Sequence, residues 1–253
     1  MLRNILPYLF CFIGTLPATA IGQNIPRLLK EAQDFEAIFK EQEALQKYTE
    51  VLRYQPNHLV ALCKTSELYN NLGRRQTAKD KQKQFYLSAK NYAQQALKVN
   101  PNHAEANFVM SIAMGRMALI ASGDEKIKAV KDIRTYAERC VRIDPTNYKG
   151  YHVLARWYYE VSDLSSIERW LVKVAYGSLP KATLDEAIRY YEKSRSLNPT
   201  LVVNYLELAK AYNRKGQKQK AIELLKTMDR LPNSAADDPK IKKDGQEMLR
   251  KLQ

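Results

Sequence analysis

Four prolines recur in a shared setting, and that recurrence constrains the fold of this chain more than any other feature. The stretches KYTEVLRYQP, YAQQALKVNP, YAERCVRIDP and YYEKSRSLNP end at Pro56, Pro101, Pro145 and Pro199. Each has a helix-compatible tail, and three carry Asn or Asp directly before the proline. Proline lacks an N–H and clashes with the preceding turn, so each ends one helix and the turn after it opens the next. Ten residues past each proline the side chain is small: Ser66, Ser111, Ala155 and Ala209. Six past lie Leu62, Asn107, Tyr151 and Tyr205, and thirteen past lie Tyr69, Met114, Tyr158 and Tyr212. Twelve before each proline come Ala44, Ala89, Ile133 and Ala187. Small residues let two antiparallel helices approach closely, and large ones fill the space between hairpins. Ile133 breaks the rule, so its hairpin is expected to be looser or rotated.

Large-small-large at these offsets is the tetratricopeptide (TPR) pattern. It predicts an all-α, right-handed α-solenoid of TPR-like helical hairpins with elongated middle repeats and a C-terminal capping helix. The repeats are expected at about 24–56, 57–101, 102–145, 146–199 and 200–232. Successive prolines, ending with Pro232, stand 45, 44, 54 and 33 residues apart, against 34 for a standard TPR. The excess lies between the two helices of each repeat, which predicts longer helices in the middle. In the fourth repeat an apolar stretch with Trp170, Leu171, Val174 and Tyr176 predicts an inserted helix over 160–183. A last helix is expected over 238–252, with Asp238 as N-cap and Pro239 at its first position. Its stripe of Ile241, Met248, Leu249 and Leu252 would cover the open end of the array.

Residues 1–22 read as a secretory signal peptide. Arg3 is the only charge, an apolar run spans Ile5 to Leu16, and Ala18-Thr19-Ala20 forms a small-residue cleavage site. Cleavage is expected after Ala20 or Gly22, leaving a TPR-like domain over 23–253. The alternative is an uncleaved anchor, for which the run is short and interrupted by Pro7 and Pro17. The mature protein is expected in the periplasm or at the outer membrane. The chain carries 41 Lys and Arg against 27 Asp and Glu, a net charge of +14. Export removes it from cytosolic nucleic acid, so this charge points to an acidic protein or peptide, an anionic lipid or an acidic glycan, with no nucleic-acid partner. Cys63 and Cys140 fall in different helices of the register and are expected as free, mostly buried thiols.

No catalytic or metal-binding motif is present, and neither an enzymatic activity nor a cofactor is expected. His58 and His103 occupy equivalent turn positions and read as structural or capping residues. A TPR array binds with the concave face lined by its first helices, and the offsets facing that groove yield a candidate site. Phe108, Ile112 and Leu206 supply an apolar centre, with Tyr159 and Lys210 beside it. Lys149, His152 and Arg156, spaced by three and four, share one face and could grip a carboxylate, phosphate or sugar acid. An ordinary solvated stripe is the competing reading. The carboxylate-clamp positions of chaperone-binding TPRs hold Cys63, Glu67 and Val109, which disfavours that recognition mode.

From about Tyr151 onward the chain resembles the regulator of microtubule dynamics family. The likeness is carried by Trp157-Tyr158, Val161-Ser162-Asp163-Leu164, Gly177-Ser178-Leu179-Pro180, Ala182-Thr183, Glu186-Ala187 and the block from Tyr205 to Tyr212. It extends more weakly back to about Asn24. The resemblance implies a helical interaction module, membrane-tethered and microtubule-associated in its eukaryotic relatives; the leader here suggests an exported relative that would not meet microtubules. The expected function is a non-catalytic adaptor that binds a protein or peptide in its groove within a cell-envelope complex. The alternative is a lipid- or glycan-binding module that uses the apolar groove and its basic neighbour.

Overall fold

In a computed structural model, residues 18–165, 173 and 181–253 are described, with side chains from residue 24. The leader over 1–17 and the heart of the expected 160–183 insert lie outside the described residues. Among those described there are eleven helices and no strands. They are α1 (Ala18–Ala37), α2 (Glu41–Tyr54), α3 (Leu59–Arg74), α4 (Lys79–Val99), α5 (Ala104–Ile120) and α6 (Gly123–Ile143). There follow α7 (Tyr148–Ser162), α8 (Leu184–Leu197), α9 (Val202–Arg214), α10 (Lys218–Arg230) and α11 (Asp238–Leu252). Each helix packs on the next, and contacts between elements two apart run along α3–α5, α5–α7 and α7–α9. The first helices of the hairpins therefore form the inner layer of an α-solenoid and the second helices the outer one. The central repeats are elongated, with 21 residues in each of α4 and α6 against 13 in α10.

The turns show why the proline pattern recurs. Before three of the prolines a short polar side chain folds over the turn. Asn100 Oδ1 accepts from the Asn102 N–H at 2.9 Å, Asp144 Oδ1 from Thr146 at 2.9 Å and Asn198 Oδ1 from Thr200 at 3.0 Å. These are Asx turns, which satisfy donors that the ended helix leaves free. Three of the helices that follow are capped from the same turn. The Nδ1 atoms of His58 and His103 accept from the Ala61 and Ala106 N–H groups at 3.2 and 3.3 Å, and Asn147 Oδ1 accepts from Gly150 at 3.0 Å. The two histidines are thus N-caps, as their position implied, and acceptance at Nδ1 places the ring proton on Nε2.

Ser66, Ser111, Ala155 and Ala209 are fully buried, as are Ala44, Ala89 and Ala187. The Ser66 hydroxyl donates to the carbonyl of Ala89 at 2.8 Å, so the two small sites of that hairpin meet directly. Ile133 is accommodated by a size exchange. It lies over Gly115, where an added Cβ would stand 3.9 Å from its Cδ1, and α6 closes through buried Ala129 and Ala137. The bulk that the sequence placed on one helix is thus matched by its absence on the other. Cys63 and Cys140 are free and buried, and burial pushes both thiols up to about 12, away from the reactive thiolate.

Two helices end in Schellman motifs of unequal quality. After α9, Gln217 N–H donates to Tyr212 O and Gly216 N–H to Asn213 O, both at 2.9 Å, with Gly216 at φ +79°. After α1 the same pair of bonds runs from Lys40 to Phe35 and from Phe39 to Glu36, but the left-handed position, at φ 59°, is held by Phe39. Phe39 is 41% exposed and contributes little burial in return. Phe39→Gly is therefore expected to stabilise the fold by about 0.5–1 kcal/mol, the left-handed strain less the glycine entropy. A rise in the urea midpoint checks this, and a fall refutes it.

The C-terminal cap departs from its sequence reading in one respect. The stripe of Ile241, Met248, Leu249 and Leu252 packs on the core of the last hairpins. Asp238, however, does not cap its own helix. It is buried, and its Oδ2 accepts from the N–H groups of Ser234 and Ala235 at 2.7 and 2.9 Å, bracing the loop before α11. Asp237 is the N-cap by position, and its carboxylate points elsewhere.

Candidate functional site

The inner layer carries charged side chains in two bands. The first joins the first helices of successive hairpins and sets two lysines against three glutamates. Glu36 on α1 accepts from the Tyr48 hydroxyl at 2.6 Å and from Lys64 Nζ on α3 at 2.9 Å. Lys64 lies 3.8 Å from Glu67. Lys149 on α7 reaches back across α5 to Glu67 at 3.3 Å and meets Glu105 at 2.8 Å. Its ammonium stands 4.8 Å from the centre of the Phe108 ring, a cation–π contact. Burial alone would raise the Glu67 carboxyl, but the charges and hydrogen bonds of Lys149 and Lys64 outweigh it and hold it below the ordinary value. Burial would lower Lys149, and Glu67 and Glu105 reverse this and raise it above the usual lysine range. The band is a ladder that ties four hairpins together.

The second band lies about two to three turns further along, where the lengthened α3 and α5 extend the inner face. It holds Arg74, Arg75, Arg116 and Arg156. Arg74 and Arg75 both bind the Asp237 carboxylate, Arg75 with its Nη1 at 3.3 Å, and Arg75 also pairs with Glu41. Asp237 comes from the loop before α11, 163 residues on from Arg74 and 162 from Arg75. The last hairpin thus returns to touch the second. Arg156 is exposed, with Glu160 at 3.9 Å as its carboxylate neighbour.

The structure redistributes the residues that the sequence offered as a groove. Phe108 and Leu206 are buried in the core, not displayed on it, and Ile112 is partly buried against the same cluster as Phe108. Lys149, His152 and Arg156 do not form a cationic grip. Lys149 is occupied by two carboxylates. His152 accepts or donates at Nδ1 to Asn204 Oδ1 at 2.9 Å, and Asn204 in turn donates to Tyr191 O at 3.0 Å, so the imidazole is a joint between α7, α8 and α9. Burial lowers its proton affinity and keeps it neutral at pH 7. Of the three, Arg156 remains available. Tyr159 is partly buried under the Arg214 guanidinium, 4.3 Å from the ring centre, and Lys210 pairs with Glu207 at 2.9 Å. Arg74, Arg116 and Asp237 were not among the expected site residues. Arg74 and Arg116 lie beyond the offsets of a standard-length first helix, and helix length was the signal that pointed to them. Nothing local in the sequence marks Asp237.

The family profile described as regulator of microtubule dynamics protein 1-3 matches residues 28–253. The chain is 25% identical over 172 residues to regulator of microtubule dynamics protein 1 of Caenorhabditis elegans, covering 68% of this chain and 76% of that protein. It is 23% identical over 188 residues to regulator of microtubule dynamics protein 3 of Rattus norvegicus, covering 74% of this chain and 40% of that protein. The match thus spans well under half of the rat relative. Among solved structures, a thermophilic TPR protein of Thermus thermophilus superposes with a TM-score of 0.67 at 14% identity, over 89% of this chain and 99% of that one. That likeness establishes a TPR-type fold.

Proposed function

The chain belongs to the regulator of microtubule dynamics family, and on that premise we propose that it is a non-catalytic scaffold whose inner face takes a segment of a partner protein. The observation that carries this reading is the exposed Arg156 on α7, with partly exposed Tyr159 one turn on and Lys210 at the equivalent position of α9, on the face formed by the first helices. There a charged, donor-rich side chain stands on a rigid helix and, among the described residues, is engaged only at 3.9 Å by Glu160. Residues 1–22 direct export, and the partner is a component of a periplasmic or outer-membrane complex. The described core contacts of α1 begin at Ile25, beyond both expected cleavage points, so removal of the leader leaves them in place.

Photo-crosslinking in intact cells tests both parts. With p-benzoyl-phenylalanine in place of Tyr159, on the inner face, a discrete adduct is expected; in place of Leu87, exposed on outer helix α4, none is expected. Equal adducts from both positions, or none from Tyr159, overturn the reading. The intact mass of the recovered protein should correspond to a chain starting at Ile21 or Gln23, and a full-length mass refutes cleavage.

A further inference from the structure

Arg116 stands near the end of α5 with its Nε sealed from solvent and, among the described residues, bonded to nothing. No carboxylate among them pairs with it. Its ring contact is with Tyr86, 6.0 Å from Cζ to the centroid, at the outer limit of a cation–π interaction. The charges that act on it are those of Arg74 and Arg156, both positive, against the Asp237 carboxylate. Asp237 is already held by Arg74 and Arg75. Burial, together with these two cations, pulls the guanidinium down to about 10, so it stays charged at neutral pH but lacks a counterion. A buried donor without an acceptor disfavours the folded state, and departures of this kind from local rules are expected at functional sites.

We infer that Arg116, flanked by Arg74 and Arg156 on the neighbouring first helices, forms a carboxylate-binding site for the acidic side chains of a partner peptide. The inference rests on the inner-face reading above and specifies its ligand. Asp237 shows the chemistry within the molecule itself: a peptide-borne carboxylate, delivered by the segment Ser234-Ala235-Ala236-Asp237, is held by two guanidinium groups. It occupies the Arg74 side of the site, and Arg116 and Arg156 are the side left open. Their planar forks suit bidentate carboxylate binding, and exposed Arg156 provides the way in. The adjacent ladder does not compete, because both of its lysines are already paired.

The test is fluorescence anisotropy of fluorescein-labelled hexa-aspartate with the full chain at low and at physiological ionic strength. Arg116→Met should weaken binding at least about tenfold while leaving the melting temperature unchanged or higher. Asp237→Asn should strengthen binding severalfold, because it removes the internal occupant. Lys98→Met, an equal charge change on outer helix α4, should alter binding less than about twofold, which separates the site from general attraction to a basic protein. Binding by Arg116→Met within about twofold of the parent overturns the inference. So does displacement of the peptide by stoichiometric inorganic phosphate, or Arg116-dependent sedimentation with phosphatidylglycerol vesicles without peptide binding. Should Arg116→Met not fold, Arg116→Lys, which keeps the charge and loses the fork, decides together with Asp237→Asn. A Tyr159 adduct with no effect of Arg116 on hexa-aspartate defeats this inference alone; loss of the adduct with Arg116-dependent peptide binding defeats the scaffold reading alone.

Discussion

Lys149→Met is expected to lower the unfolding free energy by about 2–3 kcal/mol. The substitution leaves Glu67 and Glu105 on the inner face without the ammonium that both share. Removal of one partner of a fully buried pair costs about 3–5 kcal/mol; these side chains retain 20–26% exposure, which reduces the cost. Loss of the cation from the Phe108 ring adds a smaller amount. The effect depends on pH with a definite sign. Glu67 holds fewer protons folded than unfolded near its ordinary value of 4.5, so its stabilisation is complete above that pH and is lost as pH falls through the lower folded value. Lys149, raised when folded, contributes fully below its ordinary 10.5 and loses that contribution as pH rises through its folded value. In Lys149→Met the acid-side loss should shrink. Denaturant titrations of both proteins between about pH 7 and pH 3 measure this, and an unchanged slope contradicts it. Replacement of all three residues, with Glu67→Gln and Glu105→Gln, should recover most of the stability, since the ladder as a whole is worth much less than its half-broken form.

Ser66→Leu is expected to be at least as costly, about 3 kcal/mol or more. The Ser66 hydroxyl sits 2.8 Å from the Ala89 carbonyl in a fully buried crossing of α3 and α4. The larger side chain must push the two helices apart, and overpacking of this kind costs about 1–3 kcal/mol before the hydrogen bond is counted. Ser66→Ala removes only the hydrogen bond and should cost about 1 kcal/mol. The contrast between the two, read from urea midpoints at constant slope, isolates the steric part. Equal effects from Ala and Leu would mean that the crossing is not tight.

The architecture was legible because its determinants are local. Asn100-Pro101, Asp144-Pro145 and Asn198-Pro199 each write a turn in two letters, and Ser66 with Ala89 writes a helix crossing through residue size alone. Even the exception, Ile133, is explained by one further residue, Gly115, which the periodic count overlooked. The inner face was legible only in outline. Lys149, His152 and Arg156 share a helix face, as their spacing required, but spacing is silent on partners. Glu67 lies 82 residues from the Lys149 that it binds; the curvature of the stack brings them together, and no local pattern encodes that curvature. Formal charge misled for the same reason, because it counted Lys149 as available. Asp237 and Asp238 illustrate the limit. They are adjacent and chemically alike, yet one braces its own loop and the other crosses to α3.

That crossing has a mechanical consequence. In a stack where each unit touches only its neighbours, bending is cheap and the two ends fluctuate independently. The contact of Asp237 with Arg74 and Arg75 ties the loop after the last hairpin to the second hairpin, a restraint that spans most of such a stack. With the ladder of Lys64 and Lys149 it opposes opening of the coil, and whatever draws the aspartate away relaxes that restraint.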